Sequence, residues 1–429
     1  MHRKLSPLEK SWILYDIGNS AFTMLISTLF PIYFNALATA GGLDESHYMA
    51  YWGYAGSIVT LIVAFIGPVC GTMADYRGFK KPIFLVAMIL GVVCCSLLGF
   101  MNSWLAFLLL FIVAKVGYSS ANVFYDAMLP EVTTEDRMDN VSTMGYAFGY
   151  IGSVIPFTAC LVLVLGYDFF GITQGRAMLL AFLLTAVWWV LCTLPLLRRY
   201  RQTAAVEPDA HPVKETFRQL GRTFKEAKSQ KHIFIYLLAF FFFIDGVYTI
   251  IDMATAYGTA LGLDSTGLLL ALLVTQLVAF PCAILFGRLS FRYDTGVLIK
   301  ICILAYTGIT IFAIFLVSQW QFWVLAVLVG MFQGGIQALS RSYLGKIIPV
   351  ERSGEFFGLM DICGKGASFL GLMMVSVISQ LTAGFSVTIG SLTLQNENLA
   401  VGALLLNFLL GYILFQKADK LNRSRVRNK

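Results

Sequence analysis

Residues 334–366 read GGIQALSRSYLGKIIPVERSGEFFGLMDICGKG, a polar and charged interruption in an otherwise apolar chain. Arg341, Asp361 and Lys365 stand in or against apolar segments there, where an ionised side chain is costly unless it is paired or wetted. The stretch therefore asks what kind of chain surrounds it. Hydrophobic residues fill 58% of the 429 positions and charged residues only 13%, with a mean hydropathy of +0.75. A soluble chain carries about a quarter charged residues, so the composition specifies an all-α polytopic membrane protein.

Working outward from residues 334–366, apolar runs of spanning length fall at 12–37, 48–74, 82–101, 104–129, 140–165, 177–197, 232–260, 266–287, 297–317, 321–344, 355–379 and 398–416. A bilayer core needs about 20 such residues per helix, so twelve transmembrane helices are expected. The basic residues orient them. With both termini cytoplasmic, 28 of the 31 Lys and Arg fall in cytoplasmic loops or the helix ends abutting them. Lys115 and Lys365 fall inside the bilayer, and Arg176 alone falls on the other face. That asymmetry fits the positive-inside rule. The net charge of +7 then reports topology and anionic headgroups at the cytoplasmic face, not nucleic acid. The first apolar run is too long for a cleavable signal and lacks a small-residue cleavage site. A multi-pass protein of the cell (inner) membrane is expected.

One long connection, 198–231, carries nine Lys or Arg and divides the chain into residues 1–197 and 232–429. Val213, Phe217, Leu220 and Phe224 recur in it at helical spacing among cations, which predicts an amphipathic helix on the inner leaflet. A solvated linker helix is the alternative. A shift of 219 places Pro130 on Pro349, Gly145 on Gly364, Gly152 on Gly371 and Asn122 on Arg341. Two repeated six-helix halves are expected, with alternating access about a midplane site.

Between the second and third segments stands GTMADYRGFKK, residues 71–81. Gly71 allows close helix packing and Gly78 a tight turn, while Asp75 can face the positive N-terminal end of a helix starting near Ser353. The corresponding GRLSFRYD from Gly287 keeps the glycine but has Phe291 in the place of Asp75. Within the bilayer, Asp16 and Asn19 lie one turn apart on the first segment, and Lys115 sits near mid-membrane without a local carboxylate. Asp361 and Lys365 form an i, i+4 pair that can simply neutralise itself. Asp245 is a mid-membrane carboxylate suited either to a proton-binding switch or to structural pairing, and Asp252 lies nearer the outer interface. Gln333, Gln337 and Arg341 continue one helical face, with Arg341 suited to a gate pair or to snorkelling more than to substrate contact.

The elements GGIQALSRS, Pro349, EFFG at 355–358 and Gly364-Lys365 resemble the vacuole-effluxer-like branch of the major facilitator superfamily. So do W-x-x-Y-D-x-x-N-S-A-F at 12–22 and D-G-x-x-T at 245–249. The 71–81 loop resembles the superfamily signature G-x-L-A-D-R-x-G-R-K, with Phe79 in place of its second arginine, leaving Lys80 or Arg77 to supply the cation. The resemblance implies a latch on the cytoplasmic side, and Phe291 where its second copy should carry Asp implies that the latch is one-sided. The resemblance implies the major facilitator fold, as a monomer, and transport of amino acids by export or proton-linked exchange. It makes Gly71, Asp75, Arg77, Gly78, Lys80, Asp126, Arg341 and Glu355 gating residues. Substrate or coupling residues are expected among Asp16, Asn19, Lys115, Asn122, Asp245, Tyr248, Gln333, Gln337, Asp361 and Lys365. A drug or lipid exporter, a sugar, nucleoside or peptide transporter, and a non-transporting sensor stand as alternatives.

No phosphate-cradling Gly-Lys-Ser/Thr loop or nucleophile–base constellation stands out, so no enzyme and no cofactor are expected. The eight cysteines fall in or at the edges of apolar runs without metal-ligand spacing and read as small buried apolar residues. No metal is expected.

Overall fold

The structure is a computed structural model, and residues 4–43, 45–207, 216–219, 222, 230–382, 387–389, 392–394 and 396–427 are described. The first membrane segment is two helices, α1 (Pro7–Ser27) and α2 (Leu29–Ala40). Then follow α3 (Glu45–Ala74), α4 (Lys80–Leu98), α5 (Trp104–Val132), α6 (Met138–Leu165) and α7 (Gln174–Arg199). Beyond the linker come α8 (Lys231–Ala260), α9 (Ser265–Leu289), α10 (Thr295–Ile314), α11 (Gln319–Ile347) and α12 (Ser353–Leu381). The last segment is α13 (Asn396–Gly402) and α14 (Leu404–Arg427). Among the described residues, 11 helical spans are long and apolar enough to cross a bilayer, and α12 adds the apolar stretch Leu370–Leu381.

Local chemistry sets the helix starts. Ser6 with Glu9, and Ser318 with Gln321, form capping boxes, while Asp264 and Asp294 cap α9 and α10. Each satisfies amides that the first turn leaves open. Three features depart from the expected uninterrupted helices. The first segment breaks at Thr28 (φ −131°, ψ −76°), whose hydroxyl donates to Met24 O at 2.5 Å. The twelfth is likewise in two pieces, and α14 runs to Arg427 rather than stopping near 416. A short antiparallel hairpin, β1 (Val387–Ile389) with β2 (Leu392–Leu394), precedes α13.

Two compact units form. The first comprises Met1–Thr134, Phe148–Leu220 and Pro349–Gly358; the second comprises Glu135–Ala147, Gly221–Ile348 and Leu359–Lys429. The opening turns of α12 thus pack within the first unit, and those of α6 within the second. Helix lengths expose the internal repeat. α4 and α10 start at 80 and 295, α5 and α11 at 104 and 319, and α6 and α12 at 138 and 353. Every one of these offsets is 215, not the 219 that matching prolines suggests. Pro130 lies inside α5 whereas Pro349 follows the end of α11, so the two prolines are not equivalent.

Candidate functional site

The first unit contains a buried ionic node built on the 71–81 loop. Gly67 and Gly71 of α3 meet Gly354 and Gly358 of α12 backbone to backbone. A Cβ on Gly71 would lie 2.3 Å from the Gly354 carbonyl oxygen, and one on Gly358 would lie 2.6 Å from that of Gly67. Small residues four apart permit this approach. It brings the start of α12 onto Asp75, whose carboxylate accepts from Gly354 N–H at 2.7 Å and Glu355 N–H at 2.9 Å. The open amides and dipole of a helix start favour an anion there.

Lys80 reaches the same place. Its Nζ lies 3.7 Å from Asp75, 2.6 Å from Glu131 and 2.8 Å from the Ser353 hydroxyl. The side chains of Lys80, Asp75 and Glu131 are 0%, 1% and 0% exposed, so one cation serves two desolvated carboxylates. Burial pushes the Asp75 carboxyl up to about 7, against the pull of Lys80 and of the two amides. Burial and the adjacent Glu131 raise the Tyr200 phenol, keeping it protonated to donate to Glu131 at 2.9 Å. Of the two expected cations, Lys80 is the buried one, while Arg77 makes an exposed pair with Glu207. The carboxylate on Lys80 is Glu131, and Asp126 lies instead within electrostatic range of the Tyr15 and Tyr118 phenols. Glu355 accepts from Arg352 and from Gln219 at 3.0 Å.

The second unit has its own node, which differs from the one-sided latch expected from Phe291. Phe291 is exposed, and the carboxylate comes instead from Asp139 at the start of α6. Asp139 accepts from Lys346, from the Thr295 hydroxyl and from the Ser342 hydroxyl, each at 2.6 Å. Gly287 sits under α6, where an added Cβ would meet the Thr143 hydroxyl at 2.2 Å. Arg341 is buried and donates to the Ser142 hydroxyl at 2.9 Å and to its carbonyl at 3.0 Å. Its guanidinium also stacks 4.5 Å from the Tyr146 ring. At the offset of 215, Lys346 corresponds to Glu131, Thr295 to Lys80 and Asp139 to Gly354.

Deeper groups form separate clusters in each unit. In the first, the Tyr15 hydroxyl donates to Asn122 at 3.3 Å and Tyr118 bonds Thr23 at 2.6 Å. Asp16 and Asn19 are buried beside them. Trp12 stacks on Tyr125 at 4.3 Å and donates to its carbonyl at 3.0 Å, so the aromatic residues of the 12–22 motif dock α1 on α5. Lys115 is half-buried, its Nζ 5.7 Å from the Phe111 ring. In the second unit, buried Asp245 accepts from Gly371 N–H at 2.8 Å and from the Asn407 side-chain amide. Tyr248 packs near Gly364. Gln333 is buried, Gln337 and Asp361 half-buried, and Asp252 exposed. Lys365 lies in α12 with its side chain outside the described residues. Of the expected linker helix, 216–219 and 222 are described, with 216–219 helical; Val213, Leu220 and Phe224 fall outside. No cluster of metal-ligating side chains occurs among the described residues.

Glu131, Asp139, Thr295, Lys346 and Asn407 were not singled out from sequence. The first four become readable once the repeat is aligned by helix ends. Asn407 carries no signal beyond being an amide in an apolar run.

Twelve membrane segments in this order define a transporter of the major facilitator type. Solved structures agree on the fold: the transporter FucP in the outward conformation matches with a TM-score of 0.68 at 15% identity, over 96% of this chain and 97% of that one. A bacterial homologue of the iron transporter ferroportin in an outward-facing state also gives 0.68 at 15% identity, over 96% and 98%. A family model described as "Vacuole effluxer Atg22 like" matches residues 8–395, and the chain belongs to that family. Its relatives include the uncharacterized MFS-type transporter YxiO of Bacillus subtilis (strain 168), 41% identical over 91% of this chain and 93% of that protein. Autophagy-related protein 22 of Eremothecium gossypii is 24% identical over 86% and 85%.

Proposed function

We propose that this chain moves small zwitterionic solutes, amino acids above all, across the cell membrane by alternating access coupled to protons. The observation that carries this reading is the pair of polar clusters set in apolar helices, buried Asp16 and Asn19 with half-buried Asn122 in one unit and buried Asp245 with Asn407 in the other. Buried polar groups in lipid-spanning helices are costly and mark solute or ion pathways. A zwitterion needs a partner for each end, and each unit by itself carries both signs in its membrane segments, Lys115 with Asp16 in the first and Lys365 with Asp245 and Asp361 in the second. Tyr248, Gln333 and Gln337 supply neutral hydrogen bonds. The nodes at Asp75 and Asp139 serve as cytoplasmic gates, with Gly71, Gly78, Lys80, Arg341 and Glu355 holding them, and both termini face the cytoplasm. The effluxer description of the family supports the amino-acid reading.

Ligand-induced stabilisation tests it, because a solute that binds only the folded state raises the melting temperature by mass action. Amino acids should raise it, with sugars, nucleosides and amphiphilic cations inert. A shift with amphiphiles alone would overturn the substrate class. Asp245→Asn should abolish pH-driven flux and leave exchange intact; unchanged pH dependence removes Asp245 from coupling.

A further inference from the structure

We infer that the first residues of the central linker, 200–207, are a clasp that holds the Asp75–Lys80 turn in its gate-closed shape, so that the linker sets how readily this gate opens. Across the turn itself, Phe79 N–H on the Tyr76 carbonyl at 3.1 Å is the backbone bond it makes, and this leaves the Gly78 and Lys80 amides to other partners. Gly78 takes φ +82°, and α4 begins with Phe79 at its cap position and no side-chain cap of its own, leaving first-turn amides open. Gln202 supplies what is missing: its Oε1 accepts from Gly78 N–H at 3.0 Å and Lys80 N–H at 3.3 Å, and its Nε2 donates to Ala74 O at 3.1 Å.

Val206 adds a strand-like bridge, donating to Asp75 O at 2.8 Å and accepting from Arg77 N–H at 3.1 Å. Glu131, which also holds Lys80, anchors the clasp by accepting from Thr203 N–H at 2.6 Å and Ala204 N–H at 3.2 Å. The clasp therefore binds both the turn that carries Asp75 and the carboxylate that fixes Lys80. The second unit repeats the device with other chemistry. The extension of its own sixth membrane segment, α14, holds the start of α10 through Arg423 on the cap residue Asp294 at 2.8 Å and Asp419 on Lys300, within the helix, at 2.5 Å. Two unrelated sets of contacts in the same place point to a shared task.

The consequence for flux rests on the gating role proposed above; the clasp itself does not. The test is amide hydrogen exchange on the full chain in lipid nanodiscs, comparing wild type with Gln202→Ala and Val206→Pro, the latter unable to donate. Exchange at Gly354 and Glu355, which touch Asp75 but not the clasp, should speed by about tenfold, the factor expected from one or two lost net hydrogen bonds. Unchanged exchange at Gly354 and Glu355 in both variants, with faster exchange confined to 77–80, overturns the clasp. Faster exchange there with unaltered amino-acid flux overturns the gating role and leaves the clasp standing.

Discussion

The nodes at Asp75 and Asp139 occupy equivalent places in the repeat but divide the charges oppositely. In the first unit the loop brings the carboxylate, and the incoming helix α12 offers only amides and a hydroxyl. In the second unit the incoming helix α6 brings the carboxylate Asp139, and the position of Glu131 is taken by the cation Lys346. The first is dry, with three ionisable side chains at 1% exposure or less; the second is partly wet, Lys346 being 18% exposed. Two equivalent nodes of one fold can thus share a geometry and respond differently to charge, pH and salt.

The largest expected effect separates them by lysine removal. Lys80→Ala strands two buried carboxylates and should cost about 3–5 kcal/mol, read as lost folded yield and a lower melting temperature. Lys346→Ala leaves Asp139 with two hydroxyl donors and should cost about 1–3 kcal/mol. Equal losses would break the comparison. Glycine replacement comes next. Gly354→Ala drives a Cβ to 2.2 Å from the Gly71 carbonyl, a backbone atom, whereas Gly287→Ala meets a Thr143 hydroxyl that can rotate away. About 1–3 kcal/mol is expected for the first and less for the second, by thermal unfolding.

The pH response is smaller and belongs to one node. Because burial raises the Asp75 carboxyl from 3.8 to about 7, the folded state binds the proton more tightly than the unfolded chain. Its contribution is fully present below about pH 4 and is lost as pH rises towards 7. Asp75→Asn should therefore flatten the melting-temperature profile across that window relative to wild type; parallel profiles would contradict it. Smallest is salt. Arg423 and Asp294 are 47% and 56% exposed, so Arg423→Ala should cost only about 0.2–1 kcal/mol. High salt should loosen the turn before α10 while sparing the turn at Asp75, as followed by hydrogen exchange.

Much of this was legible in the sequence, for physical reasons. Hydropathy over spanning lengths located the membrane segments because lipid demands it, and Asp75 opposite a helix start near Ser353 followed from charge and dipole. The second node was missed because it lacks the loop carboxylate that makes the first recognisable. Asp139 stands four residues after Glu135 in a run that reads as an ordinary acidic helix start. Aligning prolines at 219 instead of helix ends at 215 placed Asn122 opposite Arg341 and hid the equivalence of Glu131 and Lys346. Gln202 was unreadable because its partners are backbone amides distant in sequence. The Thr28 break did carry a local signal in Pro31, which has no N–H to give the Ser27 carbonyl and so interrupts the helix one turn earlier.

We propose that these nodes gate solute movement, and tracer counterflow tests that most directly. Proteoliposomes loaded with unlabelled amino acids and diluted into a labelled mixture should accumulate label transiently, faster than protein-free vesicles and without an imposed gradient. No accumulation of any labelled amino acid by well-folded wild-type protein would contradict it.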